Sequence, residues 1–119
     1  MDSILTSIKK MLGLEESYEH FDADIIMHIN SVLATLTQLA VGPSDGFSIT
    51  NKDAVWTDLV GERKDLEAIK SYVYLKVRML FDPPTSGAVM DSMTRLASEY
   101  EWRICANADP GFVDDESDE

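Results

Sequence analysis

The stretch Leu80-Phe-Asp-Pro-Pro-Thr-Ser-Gly87 separates two long helical patterns and decides how the chain folds. Pro84 lacks a backbone N–H, and Pro83 moves the residue before it away from helical angles, so a helix ends here. Thr85 or Ser86 can cap a following helix with its hydroxyl oxygen. Because a flexible hinge more naturally uses glycine alone, the two prolines predict a rigid corner between two packed helices.

The helices on either side of this corner differ in how much of their circumference is apolar. The preceding helix, predicted from residue 64 or 65 to 81, is apolar over more than one narrow stripe, which is typical of a central helix with several neighbours. The following helix, predicted over 86–106, has one apolar stripe and charged residues elsewhere. Its predicted buried side consists of Val89, Met93, Leu96, Ala97, Tyr100 and Ile104.

Two further helices are predicted in the N-terminal part of the chain. The first is short and has Asp2 or Ser3 as its cap. The second is longer, opens at Asp22 or Asp24, and ends at Val41-Gly42-Pro43 through the usual chemistry of glycine and proline.

The middle of the chain has the weakest periodicity. Residues 42–53 form an irregular loop in which 47–50 read as one short extended piece, and 53–60 read as a turn or two of helix that contains Trp56. The prediction is therefore an all-α domain over residues 1–108, a small bundle of about four helices, one short and three longer, with an irregular middle loop.

The charge of the chain is strongly acidic and unevenly distributed. The net charge is −12, and the last eleven residues, 109–119, hold six acids and no base, which is half of that charge. We expect this segment to be a disordered acidic tail. The excess of acidic over basic residues argues against a surface that binds nucleic acid, because affinity for nucleic acid comes largely from Lys and Arg. The acidic charge is compatible with solubility, with a basic partner, or with a surface along which DNA slides without binding.

The residues that carry chemistry are few. The chain has two histidines and one cysteine, and its six glycines are scattered, so no phosphate-binding loop is present. Asp24 and His28 would share a helix face, but a structural metal site needs about four ligands, and capping by Asp22 or Asp24 explains the same residues more simply. We therefore predict no catalytic residue, no metal and no cofactor. No run approaches the ~18 apolar residues of a membrane span.

The order of these patterns resembles a phage structural family. The strongest part is Ser71-Tyr-Val-Tyr-Leu-Lys-Val-Arg-Met-Leu-Phe-Asp-Pro-Pro84, followed by Val89-Met-Asp-Ser-Met93 and Glu99-Tyr-Glu-Trp-Arg103. The segments Ile4-Leu-Thr-Ser-Ile-Lys-Lys-Met-Leu-Gly-Leu14 and Asp22-Ala-Asp-Ile-Ile-Met-His-Ile-Asn30 are similar too. Together they resemble the small head–tail connector proteins (adaptor or head-completion proteins) of long-tailed bacteriophages, especially those that infect Gram-positive bacteria.

The resemblance implies a binding role in the virion and not an enzymatic one. Members of the family form a ring, commonly a dodecamer, beneath the portal protein, where the ring extends the DNA channel and docks the next connector or the tail. The expected partners are thus the portal protein, neighbouring copies and a downstream connector or tail protein, while DNA passes through without specific binding. The expected location is the head–tail junction, after assembly in the host cytoplasm, and the free chain is expected to be a monomer.

Two segments, residues 42–53 and the tail after residue 109, depart from the family pattern, and we predict that they mediate contacts. The candidate interface residues are Phe47, Trp56, Trp102 and Phe112. For Trp102 two interpretations stay open, because the indole could cover the edge of the core or anchor a subunit contact. Phe112 is an isolated aromatic in a charged tail, which is typical of a short docking segment.

A different class of function is also compatible with the charge. An acidic inhibitor that mimics DNA would place its acids in duplex-like rows on the folded body, whereas half of the net charge lies in the tail. A helical regulator of a cellular system is a third possibility.

Overall fold

The fold consists of helices joined by loops. A computed structural model describes residues 3–61 and 65–108, and within these residues it contains five helices and no strand. The helices are α1 (Ile4–Met11), α2 (Asp22–Gln38), α3 (Trp56–Val60), α4 (Leu66–Phe81) and α5 (Gly87–Ala108). The prediction of an all-α fold with one short and three longer helices is confirmed, and α3 is the predicted turn or two of helix around Trp56.

The connection between α1 and α2 depends on a buried lysine. Ser3 caps α1 as predicted, its hydroxyl oxygen accepting a hydrogen bond from the Thr6 N–H at 3.2 Å. Lys9 near the end of α1 is buried, and its ammonium lies 2.8 Å from Asp22 Oδ1 and donates to the Glu16 carbonyl at 2.9 Å. The prediction that Asp22 or Asp24 caps α2 is wrong, because Phe21 occupies the cap position and makes no side-chain cap bond. Asp22 instead neutralises the lysine.

The end of α2 is closed by an alanine in a left-handed conformation. Ala40 has φ +66°, its N–H donates to the Thr37 carbonyl, and the Val41 N–H donates to the Leu36 carbonyl at 2.9 Å. This is the Schellman arrangement that normally uses glycine. The helix therefore ends at Gln38, before the Gly-Pro pair predicted to stop it.

The middle segment is fastened to the helices at three points. The Asn30 side chain donates to the Ile49 carbonyl at 3.0 Å and accepts from the Ile49 N–H at 2.8 Å, so the segment predicted to be extended pairs with a side chain of α2 and not with a strand. The Ile4 N–H donates to the Ala54 carbonyl at 3.0 Å. Gly42 has φ +84°, and a Cβ there would lie 2.8 Å from a Leu59 methyl, so glycine is needed for this approach.

The central position predicted for α4 is confirmed. It packs against α1, α2 and α5, and residues such as Tyr72, Val73 and Val77 are fully buried. At the corner, the Phe81 ring meets Phe21 edge to face at 5.4 Å, which attaches the end of α4 to the start of α2. The Ser86 hydroxyl accepts from the Val89 N–H at 3.3 Å, as predicted for the first turn of α5.

The predicted buried side of α5 needs correction. Ala97 and Ile104 are buried, but Val89 is 48% exposed and Leu96 is 41% exposed. The reason is that α5 makes its extensive contact with α4 alone among the described helices. No third helix covers the flank that carries these two side chains.

We predict that Ala40→Gly stabilises the protein. Alanine in the left-handed region costs roughly 1 kcal/mol that glycine does not, and Ala40 is exposed, so no packing is lost. The free energy of unfolding in urea should rise by about 1 kcal/mol. Ala34→Gly is the matched control, since this exposed alanine lies inside α2, and it should lower stability by about as much. Equal losses from both changes would contradict the assignment.

Candidate assembly surface

The first feature of the surface is a groove on one flank of α5. It has a volume of about 320 Å³ and runs between α2 and α5 over α4. We call it the α2–α5 groove, and its lining residues are Ser31, Val32, Thr35, Lys76, Met79, Leu80, Thr94, Ala97, Ser98 and Glu101. Most of its walls are small or hydroxyl-bearing side chains, while Met79 and Leu80 make an apolar floor. Leu80 is 53% exposed.

The second feature lies on the other flank of the same helix. A shallow hollow is lined by Ala88, Val89, Ser92, Met93 and Leu96, which we call the α5 stripe. Successive residues of a helix are ~100° apart around its axis, so residues 89 and 96 lie roughly opposite residues 94 and 98. The stripe carries no charged side chain. The groove contains one lysine and one glutamate, so both surfaces are neutral on a strongly acidic chain.

The position of α5 between these surfaces is secured by a buried phenol. Tyr72 of α4 donates from its hydroxyl to Glu101 Oε2 of α5 at 2.7 Å. Burial of the phenol, together with its hydrogen bond to the Glu101 carboxylate and the negative charge of that carboxylate, raises the pKa of Tyr72 far above its ordinary value. Tyr72 therefore stays a neutral donor at physiological pH.

Of the four predicted interface residues, Trp56 lies in the core. Its side chain is fully buried, and its Nε1–H donates to the Ser7 hydroxyl of α1 at 3.1 Å. The Lys70 ammonium lies 5.9 Å from the centre of the ring. Trp56 thus joins α3 to α1 and α4, and a neighbouring copy cannot reach it in this conformation.

The other predicted residues lie on separate elements. Phe47 is half-buried against the core and lines a hollow formed by α2 and the middle loop. Trp102 lies on α5 and is 58% exposed. The smaller part of its side chain covers the edge of the core, and the larger part is accessible for a subunit contact. Phe112 lies outside the described residues. The sequence missed the α2–α5 groove, because its walls come from helices that are far apart in the chain and mix apolar residues with four serine and threonine residues.

Across residues 3–61 and 65–108, no group of three or more His, Cys, Asp or Glu side chains is arranged to hold a metal ion. Within the same part of the chain no helix is both long and apolar enough to cross a bilayer.

Comparison with protein families identifies the chain. A family model described as phage connector protein matches residues 4–111, which is most of the chain. The chain belongs to this family. Comparison with curated proteins and with solved structures finds no match.

Membership in the phage connector family has three consequences for this connector. It is a structural protein of a bacteriophage, it is located in the virion, and it interacts with other components of the head or tail. A surface with two open apolar flanks on one helix is compatible with such contacts, because protein interfaces have apolar cores.

We predict that Tyr72→Phe weakens the α4–α5 packing in a pH-dependent manner. The change removes a hydrogen bond to a carboxylate, so the free energy of unfolding at pH 7 should fall by about 1–2 kcal/mol. Because the folded pKa is raised, the stabilisation is complete below the unfolded pKa near 10 and is lost as the pH rises above it. The difference between wild type and variant in urea unfolding should therefore narrow from pH 9 to pH 11.

The control is Tyr18→Phe, which changes a tyrosine on the exposed α1–α2 connection. It should leave stability within ~0.5 kcal/mol of wild type at every pH. A constant difference between wild type and Tyr72→Phe across this pH range would contradict the role of the phenol.

Proposed function

We propose that this connector forms a ring beneath the portal protein of its phage, extends the DNA channel and docks the next connector or tail component. The observation that carries the proposal is the family match over residues 4–111. The geometry supports it, because α5 has an accessible apolar surface on each of two flanks, as a protomer with a neighbour on either side needs. A dodecamer is the proposed stoichiometry, assembled in the host cytoplasm from monomers.

The charge supports passage of DNA without binding. The α1–α2 connection exposes Glu15, Glu16 and Glu19, and the chain as a whole carries −12. A channel lined with such carboxylates repels phosphates and keeps DNA from adhering to the wall.

We further propose a division of labour along the chain. Residues 1–108 form the connector domain, and residues 109–119 form an acidic tail that contacts the portal or a neighbour through Phe112. Phe47 and Trp102 contribute from the folded part, and Trp56 supports them from the core.

The geometry does not favour a DNA mimic. On the long exposed face of α5 the acids Asp91 and Glu99 alternate with Arg95 and Arg103, and Glu99 lies 3.8 Å from Arg103. A mimic of a duplex would need an uninterrupted row of negative charge in the place of these mixed pairs.

The ring is tested by electron microscopy of the purified connector mixed with the purified portal protein of the same phage. We expect an added ring of density, concentric with the portal channel, on most portal particles, while the connector alone gives no rings. The same mixture with a portal from an unrelated phage is the control. Absence of any association, combined with tight binding to a DNA-binding enzyme, would overturn the proposal in favour of the acidic inhibitor.

The tail is tested by deleting residues 109–119. Since the deletion removes six acids and Phe112, it should weaken binding to the portal at least about tenfold, which corresponds to ~1.4 kcal/mol. The Phe112→Ala variant of the full chain separates the aromatic from the charges and should account for most of the loss. Unchanged portal binding and particle assembly with the deleted chain would refute the proposed role of the tail.

A further inference from the structure

The two flanks of α5 present side chains of different size. The α5 stripe offers the exposed apolar side chains of Val89 and Leu96, with the half-buried Met93 between them. The α2–α5 groove is a concave space of about 320 Å³ whose walls include Ser31, Ser98 and other small side chains. Ridges of large side chains pack well between rows of smaller ones, as in the common ridge-into-groove packing of helices.

We propose that the α5 stripe of one connector copy inserts into the α2–α5 groove of the neighbouring copy. The inference rests on the proposed ring and names the surfaces that join its subunits. It commits to a second copy of this chain as the occupant of both surfaces, since the chain itself carries the stripe and the groove on roughly opposite sides of one helix.

The position of the two surfaces determines the symmetry of the contact. A contact between two different surfaces of identical subunits is heterologous, and its repetition gives a closed ring or an open helix. If the stripe instead packed against a second stripe, the product would be a dimer with two-fold symmetry, which cannot grow. Opposite flanks of a single helix suit the first arrangement, because each copy then leaves one surface free for the next.

Charge also favours this pairing. Copies of a chain with net charge −12 repel one another over most of their surface. The stripe has no charged side chain, and in the groove Lys76 and Glu101 balance each other. Both surfaces are therefore neutral, so their contact adds no repulsion to that between the acidic copies.

The size of the surfaces explains why assembly would need a template. The stripe extends over two helical turns, about 11 Å, and one helix is about 10 Å wide, so its area is on the order of 100 Å². This area is much less than the ~800 Å² per partner of a standard stable interface. The contact is therefore weak between free copies and becomes effective when the portal holds them side by side.

The test uses thiol cross-linking of the full-length chain in a Cys105→Ala background. One thiol is placed in the stripe by Ser92→Cys and the other in the groove by Ser98→Cys, both at exposed positions. With a short bis-maleimide and portal present, the double variant should give a ladder from dimer upward. Each single variant should give no more than the cysteine-free background. Dimers from the Ser92→Cys variant alone would show a symmetric stripe–stripe contact and would overturn the proposal.

Blocking variants give a second, independent signature. Leu96→Glu in the stripe and Ser31→Arg on the groove wall should each lower the fraction of portals that carry a ring at least about tenfold. The matched control is Met27→Glu, which places the same charge on an exposed side chain of α2 outside both surfaces. Thermal unfolding of each variant checks the fold, and Leu96→Ser replaces Leu96→Glu if that variant is unstable.

A third experiment mixes the two blocking variants, Leu96→Glu and Ser31→Arg. A Leu96→Glu copy retains its groove and a Ser31→Arg copy retains its stripe, so a mixture can form one junction and then stops. With Ser98→Cys in the first copy and Ser92→Cys in the second, cross-linking should yield dimers and no ladder. Rings that form normally with both blocking variants would refute this contact and leave the proposed ring intact. Failure of the wild-type chain to form any ring on the portal would remove the proposed function and this contact together.

Discussion

The packing of α4 against three other helices is the constraint on which the rest of the structure depends. Its fully buried residues include Tyr72, Val73 and Val77, and the helix contacts α1, α2 and α5. Each buried side chain of this size contributes about 1.5–3 kcal/mol. The loops are arranged around this helix, because Asn30 and Trp56 connect the middle segment to the same core. The position of α5 therefore depends on α4, which is itself held by its contacts with α1 and α2.

The parts of this scaffold that depend on local chemistry could be predicted from the sequence. The corner before α5 follows from the two prolines, and the cap by Ser3 follows from its hydroxyl. The central position of α4 follows from the width of its apolar surface. In each case the cause lies within a few residues of the effect, so a pattern in one stretch of chain is sufficient.

Features that depend on distant partners could not be predicted in this way. Lys9 is buried because Asp22 and the Glu16 carbonyl surround its ammonium, and no neighbour in α1 indicates this. Ala40 closes α2 although alanine rarely adopts the left-handed conformation, since the buried Val41 and the Asn30–Ile49 pairing hold the chain on its path. Tertiary contacts outweigh the local preference here, at a cost of roughly 1 kcal/mol.

The apolar stripe of α5 shows why an interface and a core have the same sequence pattern. Val89 and Leu96 follow the helical repeat as regularly as Ala97 and Ile104 do, and the pattern predicts one buried side for all four. The hydrophobic effect depends on the removal of apolar area from water and not on which chain removes it. A helix that packs against only one other helix of its own chain can therefore have further apolar residues, in the same helical repeat, that pack against a second chain. In a protein of the phage connector family, which interacts with other components of the virion, the exposed apolar side chains of Val89 and Leu96 are available for such a contact.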